Sequence, residues 1–136
     1  MSQSSSLVAG RTKARLTFSG PGITGGSLPD GNYRITALSS KIRSTAGSIS
    51  LDGNEDGTAG GDFLNGESAA DNFFRLFGDS NGDGIMNPFE TNRFRSALNS
   101  STDPLCVAQF DFDGNGSVMI PDSEPFRQRI GITRRF

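Results

Sequence analysis

The chain contains no histidine and no tryptophan, and it has a single cysteine and a single tyrosine. Without histidine, catalytic triads and dyads that use an imidazole base are excluded, and so is histidine-ligated zinc. The lone Cys106 allows neither an intrachain disulfide nor a thiolate metal site. No G-x-x-x-x-G-K-[ST] motif is present, so the common phosphate-binding loop is excluded as well.

Charge and hydropathy exclude two further classes of partner. The formal net charge is only −2 over 136 residues, so no strong field attracts nucleic acid or an anionic membrane. No apolar run approaches the roughly 20 residues that a membrane-spanning helix needs. The opening MSQSSSLVAG lacks a basic segment followed by a long apolar stretch, so no signal peptide is visible. We therefore expect no nucleic-acid binding and no membrane insertion.

The chain is rich in glycine, with 18 residues, and in aspartate and asparagine, which favour tight turns and hard-cation sites. The stretch DSNGDGIMNPFE, residues 79–90, is here called the first loop. A calcium loop of the EF-hand type takes oxygens from positions 1, 3, 5, 7, 9 and 12 and has glycine at position 6, which is Gly84 here. The predicted ligands are Asp79, Asn81, Asp83, the Ile85 carbonyl, Asn87 and Glu90.

A second loop, DFDGNGSVMIPD at residues 111–122, begins 32 residues after the first. Its predicted ligands are Asp111, Asp113, Asn115, the Ser117 carbonyl and Asp122. Position 16 is Phe94 in one copy and Phe126 in the other, and position 20 is Leu98 or Ile130. Positions 16 and 20 lie one turn apart on a helix, so each loop is predicted to precede a helix with an apolar stripe. We expect the two exit helices to pack together and to bury both phenylalanines.

The two copies differ at positions 9 and 12. Met119 stands where the first loop has Asn87, and the shorter Asp122 stands where it has Glu90. The first loop is therefore expected to bind calcium more tightly. Pro125 is compatible with the second exit helix if that helix begins near Ser123.

The first half of the chain predicts a small antiparallel sheet. RTKARLTF and NYRITAL alternate apolar and polar residues, and KIRSTAGSISL is a weaker strand candidate. Met1–Gly10 is serine-rich and is expected to be a disordered tail. SAADNFFRLFG spaces its apolar residues as a helix does, which predicts a helix immediately before the first loop. The predicted domains are the tail at 1–10, a small β subdomain at 11–67 and a calcium-loop pair at 68–136.

Paired D-x-[ND]-x-[ND]-G loops about thirty residues apart resemble the type I dockerin module of bacterial exoproteins. The resemblance covers residues 71–136 and implies two calcium ions, packed exit helices and calcium-dependent docking to a cohesin domain. The family's recognition positions hold Pro88, Phe89, Arg95 and Ser96 in the first copy and Ile120, Pro121, Arg127 and Gln128 in the second. Of these, Phe89, Arg95 and Arg127 are the predicted partner-binding residues. SLPDGNYRI and AGSISLDGNEDGTAGGDF are similar to terminal strands of bacterial Ig-like modules, which implies a partial Ig-like β segment and a secreted or surface-attached parent protein.

A third stretch, DGNEDGTAGGDF at residues 52–63, partly repeats the metal pattern and is here called the third loop. Its oxygen-bearing positions are Asp52, Asn54, Asp56, the Thr58 carbonyl and Asp62. Position 12 is Phe63, so no carboxylate closes the loop there. Two interpretations stay open: a third calcium site, and a turn built from aspartate, asparagine and glycine.

The fold class expected from these patterns is α+β, with a small antiparallel β segment followed by a pair of EF-hand-like calcium loops and their exit helices. The function expected is a non-enzymatic calcium-binding module that docks to or anchors a protein partner, such as a cohesin-like or Ig-like module, outside the cell. The alternative is a calcium sensor, which needs a helix before each loop and a methionine-rich groove. A more distant alternative is a fragment of an acidic glycoside-active enzyme.

Overall fold

A computed structural model describes residues 2–8, 11–71, 73–99 and 104–134, with side chains described from Lys13 onward. These residues form two compact units. One unit takes in the described parts of Met1–Asp30 and Leu76–Arg135, and the other is formed by Gly31–Arg75. This division differs from the predicted boundary near residue 67, since it groups the residues up to Asp30 with the loop pair.

The first unit begins with two antiparallel strands, β1 (Ser2–Val8) and β2 (Arg11–Thr17). Ser2 lies opposite Thr17 and Val8 lies opposite Arg11. The strand expected in RTKARLTF is confirmed, whereas the expected disorder of residues 1–10 does not hold for residues 2–8. An antiparallel ladder pairs main-chain groups, so a serine-rich segment joins it when its neighbour is a good strand former.

Three helices follow in the same unit: α1 (Pro88–Ala97), α2 (Pro104–Phe110) and α3 (Ile120–Arg127). The α1 helix begins at a capping box, in which the Asn87 side chain accepts from the helix backbone and Glu90 accepts from the Asn87 N–H. The α3 helix begins at Ile120 rather than near Ser123, so Pro125 lies inside it. Asp122 accepts the Met119 N–H and so sets this early start.

The core of this unit comes from residues inside the two loops and on either side of them. Its buried apolar members are Leu76, Phe77, Met86, Phe94, Ala97, Phe110, Val118 and Phe126. The rings of Phe94 and Phe126 are stacked, with centroids 4.2 Å apart and planes 16° apart, and Phe110 meets both rings edge-on. The predicted packing of the exit helices through these phenylalanines is confirmed. The stripe is shorter than expected, since α1 and α3 end before position 20 and Ile130 is half exposed.

The second unit contains two antiparallel strand pairs. β3 (Gly31–Tyr33) pairs with β6 (Phe73–Arg75), and β4 (Ile35–Ala37) pairs with β5 (Phe63–Asn65). NYRITAL thus forms strands as predicted. KIRSTAGSISL begins at the last residue of a 3-10 turn, Ser39–Lys41, and the structure gives it one bridge, Arg43 to Ser50. Short antiparallel pairs in this unit and three helices in the other give a mixed α+β chain.

The helix predicted before the first loop is wrong. Asp71 instead accepts the backbone N–H groups of Gly66 and Ser68, which fixes a turn. Phe73 then lies opposite Tyr33 in the β3–β6 pair, with ring centroids 6.1 Å apart. Phenylalanine has only moderate helix propensity and favours strands, so a cross-strand aromatic partner decides the outcome. No helix among the described residues is long and apolar enough to span a membrane.

Candidate metal centre

The first loop is organised by its own aspartates. The two carboxylate oxygens of Asp79 accept the N–H groups of Gly82 and Gly84, at 2.8 and 2.9 Å. Asp83 accepts the Ile85 N–H and the Asn81 side-chain amide, each at 2.8 Å. These bonds turn the chain around positions 1, 3 and 5, so the predicted ligands of the first half of the loop lie on one tight turn.

Glu90, at position 12, is fully buried at 0 % exposure. Its Oε2 accepts the Asn87 N–H at 3.1 Å, whereas its Oε1 has no hydrogen-bond partner among the described residues. Leaving a buried polar atom unsatisfied costs roughly 1–3 kcal/mol, and more when the group is charged. An oxygen of this kind fits a cation held by the loop, and it fits poorly in a loop that binds nothing.

Two other predicted ligands of the first loop, Asn87 and the Ile85 carbonyl, differ in whether their oxygen is already used in a hydrogen bond. The Asn87 Oδ1 accepts the Phe89 N–H at 2.7 Å, so its main contact is the start of α1. The C-terminal segment pairs with the loop through the carbonyls of Gly84 and Met86, leaving the Ile85 carbonyl out of this ladder. Position 7 therefore fits a metal-binding carbonyl, while position 9 serves the helix.

The second loop repeats this hydrogen-bond pattern. Asp111 accepts the N–H groups of Gly114 and Gly116, each at 2.8 Å, and Asp113 accepts the Asn115 side-chain amide at 2.9 Å. Carboxylate oxygens of Asp111, Asp113 and Asp122 lie within 4.8 Å of one another. Like charges this close repel one another, and a cation held between the three carboxylates would relieve that repulsion. Oxygen-only donors gathered in this way suit a hard cation such as calcium.

Asp122, at position 12 of the second loop, is buried like Glu90 in the first loop, but both of its oxygens accept hydrogen bonds. Asp122 has 0 % exposure, and its two oxygens accept the N–H groups of Phe112 and Met119, each at 2.8 Å. Each oxygen keeps a second lone pair that a cation could use. The residues of both loops therefore fit a calcium ion. The first loop has the stronger need for one, because Glu90 Oε1 accepts no hydrogen bond from the described residues.

The third loop shares only the first half of the pattern. Asp52 accepts the Asp56 and Gly57 N–H groups, and Asp56 accepts the Thr58 N–H and the Asn54 amide. The Thr58 N–H, followed by the Asn54 amide, lowers the pKa of Asp56. Asp62 instead accepts the Ser39 N–H at 2.8 Å, so its carboxylate is tied to another turn. This geometry favours the turn interpretation over a third metal site.

The 32-residue repeat appears again in the bonds between the two loops. The Gly131 N–H donates to the Met86 carbonyl at 2.8 Å, and the Asn99 N–H donates to the Val118 carbonyl at 2.7 Å. Met86 and Val118 are both position 8 of their loops, and Asn99 and Gly131 both follow the exit helix. Each loop is therefore closed by the residue that follows the other loop's helix.

Comparison with known proteins adds no relative: no protein-family model, no curated protein and no solved structure matches this chain. The function must therefore be inferred from the site itself.

The predicted partner-binding residues are all on the surface. Phe89 is 48 % exposed, and the guanidinium of Arg93 lies 5.7 Å from its ring centroid. Arg95 and Arg127 are exposed on α1 and α3. Phe89 lies in the first turn of α1, and Arg95 and Arg127 lie near the ends of α1 and α3.

Sequence reasoning missed a residue pair beside the second loop. Asp30 forms an ion pair with Arg129, and the other Asp30 oxygen accepts the Phe77 N–H at 2.8 Å. The two charged residues are 99 positions apart, so no local periodicity could indicate the pair. The only available signal was an aspartate in the turn sequence SLPDG. Aspartate is common in turns, so this residue did not indicate a distant partner.

Proposed function

We propose that the chain is a non-enzymatic module that binds two calcium ions, one in the first loop and one in the second. The observation that carries this proposal is the buried Oε1 of Glu90, at the position where a calcium loop places its closing carboxylate. In the part of the chain that the structure describes, this oxygen has no hydrogen-bond partner. The carboxylate cluster of the second loop supports the same function independently.

Calcium would supply the positive charge that these anionic turns lack. Asp79, Asn81, Asp83, the Ile85 carbonyl and Glu90 would hold it in the first loop. In the second loop the holding residues would be Asp111, Asp113, Asn115, the Ser117 carbonyl and Asp122. Asn87 would contribute through its helix cap rather than as a main ligand, because its Oδ1 already accepts the Phe89 N–H.

Titration calorimetry with calcium tests the proposal on the wild-type chain and on two variants, Asp79→Ala and Asp111→Ala. We expect two binding events in the wild type and one in each variant. The event kept by Asp111→Ala should be the tighter one, since Glu90 offers an unpartnered oxygen and Asp122 does not. Absence of calcium binding in the wild type would refute the function, and a tighter event in Asp79→Ala would refute the rank order.

The sensor alternative is less well supported. A sensor opens a helix pair around each loop. Among the described residues, the first loop follows the strand β6 and a turn, and the second follows the seven-residue helix α2. A static, calcium-stabilised module fits this arrangement better.

We further propose that the module docks to a protein partner outside the cell, where calcium is abundant. The support is an apolar pair at the starts of the exit helices, Phe89 at 48 % exposure and Ile120 at 77 %. Binding to immobilised cohesin and Ig-like domains, with calcium and with a chelator, tests this role. We expect calcium-dependent capture that Phe89→Ala weakens; capture that survives chelation unchanged would contradict it.

A further inference from the structure

The guanidinium of the Asp30–Arg129 ion pair lies against two aromatic rings. The guanidinium carbon of Arg129 is 5.5 Å from the ring centroids of both Phe77 and Phe112. The two rings meet edge-on with centroids 5.0 Å apart. Arg129 also donates to the Pro125 carbonyl at 2.6 Å. The side chains of the ion pair are only 16–18 % exposed, so water screens this interaction less than it screens a surface pair.

The ion pair and the two rings are connected to a predicted metal ligand, Asp122, through Phe112. Phe112 is position 2 of the second loop, and its N–H donates to Asp122 Oδ1 at 2.8 Å. Asp122 belongs to the carboxylate cluster of that loop. Holding the Phe112 ring therefore also holds the backbone group that orients Asp122.

A second contact joins the segment before Asp30 to the same loop. A Cβ added at Gly25 would lie 2.9 Å from the Phe112 carbonyl oxygen and 3.1 Å from the Gly114 nitrogen. A Cβ added at Gly114 would lie 2.6 Å from the Gly25 Cα. The two backbones approach so closely that only glycine fits at either position.

We propose that residues 25–30 form a strap that holds the second loop in its metal-binding shape, with Arg129 as the positioning residue between strap and loop. The inference rests on the proposed function, and it assigns to residues outside both loops a part in setting calcium affinity. A loop already ordered before the ion arrives loses less conformational freedom on binding. The strap contacts positions 2 and 4 of the second loop, so the effect should be specific to that loop.

The first experiment uses two neighbouring glycines as test and control. Gly25 and Gly26 both have positive φ, +56° and +73°, but a Cβ at Gly26 meets nothing within 4 Å. Both alanine variants therefore carry backbone strain, and only Gly25→Ala pushes the strap off the loop. Each is titrated with calcium in the Asp79→Ala background, which isolates the second loop. We expect Gly25→Ala to weaken binding about fivefold or more, and Gly26→Ala by less than about twofold.

The second experiment changes the ion pair. Arg129→Lys keeps the charge but loses the planar group that lies against both rings and donates to the Pro125 carbonyl. It should weaken calcium binding by the second loop, whereas Arg127→Lys, at an exposed position on α3, should not. Neither change should alter the first loop, measured in the Asp111→Ala background. Equal losses in both loops would show general destabilisation and would overturn the inference.

A measurement without calcium separates this inference from the proposed function. Hydrogen exchange of the Phe112 amide reports directly on its bond to Asp122. In the calcium-free chain, exchange should be about fivefold faster in Gly25→Ala and unchanged in Gly26→Ala. Unchanged exchange in Gly25→Ala overturns the strap even if calcium binds. Absence of calcium binding in the Asp79→Ala background refutes calcium binding by the second loop, and with it the strap's part in calcium affinity, whatever the exchange shows.

Discussion

At the scale of single residues, the two loops differ most in how their closing carboxylates are satisfied. Both carboxylate oxygens of Asp122 accept hydrogen bonds from backbone N–H groups, whereas only one oxygen of Glu90 does so. The longer glutamate side chain leaves its second oxygen buried and unpartnered. The closing position of the first loop should therefore depend more strongly on a bound cation.

Glu90→Gln should abolish or greatly weaken calcium binding by the first loop, because it removes the charge and replaces a carboxylate oxygen with an amide donor. Asn87→Ala removes a helix cap, which costs about 1 kcal/mol of stability, and should weaken calcium binding less. Calorimetric titration of both variants in the Asp111→Ala background compares the two losses. Equal losses would contradict the roles assigned to these side chains.

Asp71 sets a pH dependence of the second unit. Its hydrogen bond from the Ser68 hydroxyl, and then those from the Ser68 and Gly66 backbone amides, lower the pKa of Asp71 from 3.8 to about 2. A depressed carboxylate pKa stabilises the folded state above the unfolded pKa, and that stabilisation disappears as pH falls through the folded value. Asp71→Asn should therefore be less stable than wild type near pH 6.

The difference between these two proteins should shrink as pH falls from about 4 toward about 2. Urea unfolding at several pH values measures it. A difference that stays constant down to the lowest pH would show that the carboxylate charge plays no part in the turn.

At the scale of elements, the stacked rings of Phe94 and Phe126 join the two exit helices. Both are buried, at 6 % and 1 % exposure. A ring lost from a close-packed interior leaves a cavity as well as losing its transfer free energy.

Phe126→Ala should lower the free energy of unfolding by about 3–5 kcal/mol. Phe89→Ala provides the matched control, because the same change is made at a ring that is 48 % exposed, and it should cost less than about 1 kcal/mol. Urea unfolding in saturating calcium compares them. Similar losses for the two variants would mean that the stack contributes little beyond ordinary surface contacts.

Sequence patterns predicted these elements unevenly. The loop spacing and the repeat of Phe94 and Phe126 identified both exit helices and their contact, because loop chemistry and helical periodicity are local properties. The segment before the first loop has an equally helical spacing, yet Phe73 pairs with Tyr33 in a sheet. That partner is forty residues away, and tertiary pairing overrides a moderate helix preference.

The same limit applies to the candidate site. The acidic and amide residues of both loops were predictable because calcium needs particular oxygens at particular spacing. The Asp30–Arg129 pair was not, since its members meet only after the chain before β3 has folded against the second loop. The role of Asn87 as a cap was also hidden, because the same amide oxygen suits a metal and a helix terminus.

At the scale of the whole molecule, the buried apolar residues of the described chain are few, and they lie within and next to the two loops. A site with micromolar affinity in millimolar calcium adds about 4 kcal/mol by mass action. Typical domains are stable by only about 5–15 kcal/mol, so two such sites would supply a large share of the total.

Removing calcium should therefore lower the melting temperature strongly, by several degrees for each kcal/mol lost. Scanning calorimetry in calcium, in chelator and in chelator followed by excess magnesium measures the effect. Magnesium should restore little, because it prefers compact octahedral coordination and gives up its water reluctantly. An unchanged melting temperature after chelation would argue against calcium as a structural component.

The reciprocal bonds from Gly131 to Met86 and from Asn99 to Val118 have a consequence for origin. Each half of the repeat offers the same donor and the same acceptor, so one half placed beside an identical copy could satisfy both bonds with twofold symmetry. A single loop-and-helix peptide could thus have assembled as a homodimer before any gene fusion. Tandem duplication would then join two surfaces that already matched, and later divergence at Met119 and Asp122 would make the halves unequal.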